Sequence, residues 1–405
     1  MVAGRMKVLF LGHNATRTGA PLLLLELMRW LSARHTITPS LLLWQGGPLE
    51  EDYGKVAVTK VICASRWTRT AARFGIAAPI LNQLRQDACL TDCGVIYANT
   101  AACAKLIPHL AGKGKPIIHH IHELEGAATR LGMIEALRRN VAATDLYIAA
   151  SEAVGHFLRT TIAVPPERIR VIHEFAINLP CQSTALANRV KIRSQLHLHE
   201  KDVLVMMSGT PEARKGTDIF IQLAAMVQRT RGGDRLRFLW LGGSPKQLSA
   251  YQKLAAQTGV GSICSFHASV TRPQDWLTAA DIFSLTSREE PFSVVMLEAA
   301  MNAIPILCFA KAGGGPELVE NDAGFVIDDN DLPAMAAACI DLAKDKLLRL
   351  RMGEIAQRKV IENYLIDRQA ARIEQEILNL ATGHHAPRQM QGRNSIKERF
   401  GGGYH

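Results

Sequence analysis

No apolar run in this 405-residue chain reaches the roughly 18 residues that a membrane-spanning helix needs. The N-terminus, MVAGRMKVLFLGHN, is apolar only from Val8 to Leu11 before turning polar. It reads as a buried strand and not as a secretory leader, and the expected location is the cytoplasm. None of the eight cysteines (63, 89, 93, 103, 181, 264, 308, 339) sits in a CxxC pair. Cys89 and Cys93 have no second pair and no HxxxH nearby, which disfavours zinc and leaves reduced, partly buried thiols. No GxGxxG stands after a strand and no GxxxxGK[ST] occurs, so ordinary dinucleotide binding and P-loop hydrolysis lose their main support.

Acidic residues are outnumbered, 37 against 47 Lys and Arg, for a net charge of +10, and the deficit is local. Residues 1–180 hold 20 Lys and Arg against 13 Asp and Glu, residues 181–385 hold 23 of each, and residues 386–405 hold 4 against 1. Such asymmetry suits an anionic partner such as a membrane surface, a lipid phosphate or nucleic acid; a generic basic surface is the plainer reading.

The length calls for two domains of roughly 150 to 200 residues each. Short apolar runs alternate with helix-length segments throughout. VLFL (8–11), SLLLW (40–44), VTKVICA (58–64), VIYA (95–98), PIIHHI (116–121), LYIAA (146–150) and IRVI (169–172) form one series. After a loop over 177–189, VLVMM (203–207), RFLWLGG (237–243), SICSF (262–266), IFSLT (282–286), IPILCF (304–309) and GFVI (324–327) form a second. Strand, helix, strand at this spacing means parallel sheets covered by helices on both faces, built twice. The last helical stretch, 347–382, is long enough to break near Asn363–Leu365 and leave one domain for the other. The remaining residues are polar and Gly-rich, the composition of a disordered tail.

In open parallel sheets, ligands bind beyond the carboxyl ends of the strands, and there the chemistry-bearing residues collect. Gly19 opens a helix whose amides and dipole favour an anion, although a plain turn explains a lone Gly–helix junction equally well. Arg214 and Lys215 precede Gly216 in the corresponding loop of the second half, where two adjacent cations can clamp a diphosphate or form an ordinary solvated pair. Gly313 to Gly315, before Pro316 and Glu317, form a third turn able to bring amides to a phosphate. Of His119, His120 and His122, period-two alternation puts the last two on one side; with no third ligand nearby, His122 reads as a polar group in a cleft or a satisfied structural histidine. Asp329 and Asp331 form a DxD, a divalent-metal pattern, but at this place they read as a turn and a helix N-cap.

In SREEPFSVVMLEAAMNAIP (287–305), Pro291 suits a helix's first turn and leaves Glu290 at its mouth. Glu298 falls further in, on a helix whose other faces are apolar nearly all round. It is therefore neutralised, paired internally, or bonded to something entering the cleft, such as sugar hydroxyls.

These pieces resemble the retaining glycosyltransferases of family 4, the group 1 transferases of the two-Rossmann GT-B fold. Glu290 and Glu298 match the family's E-x7-E motif. TGAPLLLLEL, YIAASEAVGHFL, IRVIHEF, SGTPEARKGTDIF, FLWLGG and AGGGPELVE agree in order up to about residue 382. The resemblance implies an α/β chain with a Rossmann-like acceptor domain over 1–178 and a nucleotide-sugar domain over 190–362. A C-terminal helix over 363–382 packs back on the first domain, and 383–405 is a disordered tail. It implies transfer of a hexose-type sugar from a nucleotide-diphosphate sugar to an acceptor hydroxyl on a glycan, lipid-linked saccharide or cell-surface polysaccharide precursor. No metal, cofactor or nucleic acid is implied.

By the same resemblance, Lys215 and Arg214 hold the diphosphate, Glu290 the transferred sugar and Glu298 the ribose hydroxyls. Amides around Phe292 and Ser293 face the donor, Gly19 closes on its phosphates, and His122 stands beside the reacting sugar. His122, Glu290 and Lys215 are then the catalytic group, with the leaving phosphate itself taking the acceptor's proton. The chain departs from the family at Thr18 and Ser293, where glycine is usual, and at Thr210, where arginine is usual. A nucleotide-sugar 2-epimerase of the same fold and a non-catalytic scaffold are the alternatives. The segments 66–86 and 129–140, the latter read as one basic helix, are the candidates for peripheral contact with an anionic membrane.

Overall fold

The computed structural model describes residues 5–62, 92–110, 114–177 and 182–383. Cys63, Cys89, Cys181, the segment 66–86 and the tail from 384 onward lie outside the described residues.

Seven strands build the first sheet: β1 Met6–Gly12, β2 Ile37–Leu43, β3 Val58–Val61, β4 Val95–Asn99, β5 Ile117–Ile121, β6 Leu146–Ala149 and β7 Ile169–Val171. Their order is β3-β2-β1-β4-β5-β6-β7, every pairing parallel. Six more build the second: β8 Val203–Ser208, β9 Leu236–Leu241, β10 Cys264–His267, β11 Ile282–Leu285, β12 Ile306–Phe309 and β13 Gly324–Ile327. Their order, β10-β9-β8-β11-β12-β13, is again wholly parallel. The central strands are buried on both faces: β4, β5, β6, β8, β11 and β12 are buried at every position. That is the burial a parallel sheet requires when helices cover both sides.

Strand order reverses between β1 and β4 in the first sheet and between β8 and β11 in the second. At such switch points the connections leave in opposite directions and open a crevice. The segments after β1 and β5, with Gly19, His122 and Glu123, face those after β8 and β11 across the space between the sheets.

The helix Gln182–Gln195 occupies part of the stretch read as a loop. Its Arg189 and Arg193 hold Asp281, just before β11, at 2.6 and 3.0 Å, which ties it to the second sheet. Near the C-terminus the chain breaks between the helices Lys346–Asn363 and Ile366–Ala381, at Tyr364 and Leu365. There the two interdomain crossings run side by side, Ala176 N–H donating to Tyr364 O (2.8 Å) and Ile366 N–H to Ala176 O (3.2 Å). The last helix then buries Ala370, Ile373 and Ile377 in the first domain's core. Trp30 Nε1 anchors it to Asp367 at 2.7 Å, and Glu374 accepts from Arg34 Nε at 3.2 Å and from Thr36 Oγ1.

The basic stretch 129–140 is not one helix. Glu125–Arg130 and Ile134–Arg139 are separated by a turn at Gly132, whose φ of 63° stops the first helix. Among the described residues no helix is long and apolar enough to cross a membrane.

Candidate functional site

The crevice holds a cavity of about 670 Å³ lined from both domains. Its first-domain wall includes Gly19, His122, Glu123 and Glu174, and its second-domain wall includes Arg214, Lys215, Glu290, Phe292 and Ser293. Of the residues that the resemblance assigns to the site, all but Glu298 line it.

Gly19 begins the helix Gly19–Ala33, with Thr18 as an extended N-cap that makes no side-chain capping bond. An added Cβ at Gly19 would meet no protein atom within 4 Å, so this end of the helix is open. In the second domain, the turn Ala213–Lys215 ends at Gly216 with φ 68°. A Cβ at Gly216 would lie 1.9 Å from Thr286 O, so only glycine fits the turn that presents Arg214 and Lys215.

Lys215 Nζ contacts the Glu290 carboxylate directly. Ser287 Oγ donates to the same carboxylate at 3.1 Å, and Arg214 Nη1 lies 3.9 Å away. Burial pushes the Glu290 pKa up, but Lys215, Arg214 and the two hydrogen bonds outweigh it, leaving the carboxyl below its ordinary value. Arg214 is braced by Glu212 (3.1 Å) and by the carbonyl of Glu289 (3.0 Å).

Three readings from the sequence change here. The helix Val294–Met301 begins three residues after Pro291, so the proline stands in the preceding loop and not in the first turn. Ser293 is the N-cap, accepting from Met296 N at 3.3 Å, which gives its side chain a use that glycine would not have. The Gly313–Gly315 turn supports Glu290 instead of facing a ligand: Glu290 bridges Gly313, and Gly314 N–H donates to the carbonyls of Glu290 and Pro291 at 3.2 and 2.9 Å.

Glu298 stands outside the cavity lining. Its carboxylate accepts from Gln274 Nε2 at 3.1 Å, one residue beyond the lining Pro273. Burial raises its pKa, only partly offset by that hydrogen bond. Of the DxD pair, Asp331 caps the helix Leu332–Lys344 through Ala334 N (2.9 Å) and Asp329 accepts from Lys311 N (2.8 Å). Among the described residues no group of three or more His, Cys, Asp or Glu is placed to hold a metal ion.

On the first-domain wall, His122 follows β5 and its ring lies 3.9 Å from that of His120, the shared side anticipated from alternation. Its Nδ1 meets Glu174 and its Nε2 meets Asn99 Oδ1 at 2.7 Å. Burial lowers the His122 pKa; the charge and hydrogen bond of Glu174, with the charge of Glu123, override it and leave it above the ordinary histidine value. His119, by contrast, is pushed down to about 4 by burial despite its bond to Thr100 O.

Sequence reasoning missed the residues that join the walls. Glu289 Oε1 accepts from Ala127 N at 2.9 Å and Oε2 from Arg130 Nη2 at 3.0 Å. Glu317 accepts from Glu152 N at 3.0 Å and contacts His173 Nε2 at 2.6 Å. His173 in turn packs between Phe292 and Tyr364. The E-x7-E spacing picks out Glu290, but no sequence signal gives Glu289 its role, because that role lies in its carboxylate facing the other domain.

Comparison with known proteins follows these two halves. The family described as Glycosyltransferase Family 4 matches residues 17–175, and Glycosyl transferases group 1 matches residues 188–359. The D-inositol 3-phosphate glycosyltransferase of Streptomyces avermitilis is 28% identical over 273 residues, covering 60% of this chain and 56% of that protein. A GDP-mannose-dependent alpha-(1-6)-phosphatidylinositol monomannoside mannosyltransferase of Mycobacterium tuberculosis is 29% identical over 199 residues, 46% of this chain and 50% of that one. The chain thus spans little more than half the length of these curated relatives. Among solved structures, Anabaena Alr3699/HepE in complex with UDP is similar in fold, with a TM-score of 0.75 at 21% identity over 92% of this chain and 100% of that one. Sucrose-phosphate synthase from Thermosynechococcus elongatus gives 0.76 at 17% identity over 94% and 100%. With both halves matched in order and two parallel-sheet domains facing a cleft, the chain belongs to the group 1 glycosyltransferases of family 4.

Proposed function

We propose that this chain transfers a hexose-type sugar from a nucleotide-diphosphate sugar to an acceptor hydroxyl, with retention of anomeric configuration. The observation that carries the reading is the convergence of an open helix N-terminus from one domain and the Arg214–Lys215 pair from the other on one cavity. A helix N-terminus and two cations are complementary to a diphosphate and to the charge that grows on it as it leaves. In this reading Arg214 and Lys215 neutralise the leaving nucleotide in place of a metal ion. Glu290 holds the transferred sugar, Glu298 takes ribose hydroxyls, and the amides around Phe292 and Ser293 and at Gly19 face the donor. His122 stands beside the sugar.

The printed names of the relatives, a GDP-mannose-dependent enzyme among them, and the UDP and UDP-glucose held by HepE support a nucleotide-sugar donor. The acceptor class is a glycan, a lipid-linked saccharide or a polysaccharide precursor, reached from the cytoplasm or its membrane face. For the membrane part of this reading, Arg130, Arg138 and Arg139 each have a protein partner, namely Glu289, the carbonyl of Thr161 and Glu135. They contribute less free charge than their number suggests.

The test is a thermal-shift screen of nucleoside diphosphates and sugar nucleotides. A ligand at 100 times its dissociation constant adds about 2.7 kcal/mol to the native state. One nucleotide class should raise the melting temperature, and Lys215→Ala should abolish the rise. No shift from any of them would sink the proposal.

A further inference from the structure

The first-domain wall carries a side-chain chain that the sugar-transfer reading leaves unexplained. Asn99 ends β4, His122 follows β5, and Glu174 lies in the segment after β7, so three separate strand ends bring them together. Both nitrogens of the His122 ring face oxygen: Nδ1 meets the Glu174 carboxylate and Nε2 meets Asn99 Oδ1 at 2.7 Å. The Asn99 amide is oriented by its other end, where Nδ2 donates to Ala20 O at 3.4 Å. Flipping it would set two oxygens against each other, so the oxygen belongs toward His122 and Nε2 must carry a proton. A neutral imidazole has one N–H; with an acceptor at each nitrogen, the ring that satisfies both is doubly protonated. His122 and Glu174 are both almost fully enclosed, where a charge without its partner is costly.

The surroundings support that state. Glu123 lies next in sequence and adds a second negative charge. The neighbouring histidines are held neutral: His120, packed against the His122 ring with Nδ1 bonded to Tyr97 Oη at 2.6 Å, is pushed well down by burial and then by His122 itself. His119 and His13 are lowered in the same sense, by burial first and the His122 charge after it. Arg214, Lys215, Glu289 and Glu290 line the same cavity from the other domain. Thr100, next to Asn99, is held at φ 79°, a conformation a β-branched residue takes only when its surroundings impose it. Thr100 N donates to His120 O and its carbonyl binds His119 Nε2, so it ties β4 to β5 at the level of Asn99.

We infer that Glu174 is a positioning residue which, with Asn99, fixes the His122 ring as a doubly donating imidazolium, making His122 a stationary positive charge at the cleft and not a base. Both protons are committed within the protein, so the ring has no lone pair with which to accept the proton of an attacking hydroxyl. Glu174 neutralises the ring in the empty cleft and keeps its plane fixed when an anionic group enters.

The functional meaning rests on the sugar-transfer reading, but the protonation state does not, and it can be read without substrate. In the full-length chain labelled with 15N, the His122 ring, identified by its loss in His122→Gln, should show both nitrogens protonated at pH 7. Glu174→Gln should move the midpoint of that titration about one pH unit or more lower, and the alkaline limb of any turnover profile should move with it. A single protonated nitrogen in the unsubstituted chain at pH 7 would overturn the inference, and so would a midpoint that Glu174→Gln leaves in place. The first of these outcomes is read in the unsubstituted chain, with His122→Gln used only to assign the ring signals. If the ring is doubly protonated but no sugar nucleotide binds, only the transferase reading falls.

Discussion

Lys215 and Glu290, seventy-five residues apart in sequence, neutralise each other inside the cleft. The contact has a consequence for each side chain. Lys215 enters the cavity already paired, so in the proposed reading an arriving diphosphate would compete with Glu290 for it, and Glu290 would be freed to take another hydrogen-bond donor, such as a sugar hydroxyl.

Lys215→Ala should lower turnover about 10²- to 10³-fold, the scale of losing one preorganised charge-stabilising group. It also strands a buried carboxylate, at a cost of about 3–5 kcal/mol. The double variant with Glu290→Gln should lose less stability than the two single losses combined, because the stranded charge is gone. Since the folded-state pKa of Glu290 is lowered, its stabilising contribution is complete above the ordinary carboxyl value and fades as pH falls through the lowered one. The Lys215→Ala deficit should therefore shrink in acid, measured by urea unfolding at neutral and low pH.

Glu289→Ala removes the acceptor of Ala127 N and Arg130 Nη2 and with it one of the links between the walls. The Arg130 end is mostly exposed and contributes little stability. The effect should appear in geometry instead. Small-angle scattering should show a larger radius of gyration, and KM should rise while the isolated affinity for nucleoside diphosphate stays close to that of the unsubstituted chain. An unchanged scattering profile would show that the Glu317 link to Glu152 and His173 suffices alone.

The parallel sheets and the loops that bear the chemistry were legible because both rest on local pattern: apolar runs for buried strands, then glycines and charges just past their ends. Glu290 and Lys215 were visible for the same reason, each sitting at a strand's carboxyl end. Glu174, Asn99, Glu289 and Glu317 were not, since each acquires its meaning from a partner on another element, more than 140 residues off for the last two. The helix at Gln182–Gln195 was hidden by its weak apolar periodicity; its stability comes from Arg189 and Arg193 on Asp281 and not from an apolar stripe.

Gly216→Ala should be among the most damaging small substitutions. At φ 68° an alanine is strained, and its Cβ would sit 1.9 Å from a backbone oxygen that cannot swing away. A loss exceeding the 1 kcal/mol of an ordinary Gly-to-Ala mismatch is expected. Because the turn carries Arg214 and Lys215, nucleotide binding should weaken too, whereas Gly19→Ala, with nothing near its Cβ, should leave thermal stability unchanged.

Ile373 lies in the last helix but is buried in the first domain's core. Ile373→Ala should cost about 2–5 kcal/mol. If the helix is integral to that domain, the first-domain amides should lose hydrogen-exchange protection while those of the second sheet keep theirs. Equal loss in both would mean that the domains unfold as one unit.

Glu298→Gln separates stability from binding. Gln274 keeps an acceptor oxygen in the variant, so the hydrogen bond at 3.1 Å survives while the charge is removed. Because burial raises the folded-state pKa of Glu298 above 4.5, its favourable contribution is complete below that value and is lost as pH climbs through the raised one. The variant should accordingly melt higher than the unsubstituted chain at pH 8 and match it near pH 4. If the carboxylate serves ribose hydroxyls, the same substitution should weaken sugar-nucleotide binding at pH 8. A gain in melting temperature with a loss of affinity would mark Glu298 as a residue kept for its ligand at the expense of the fold; a gain with unchanged affinity would assign the carboxylate no part in donor binding.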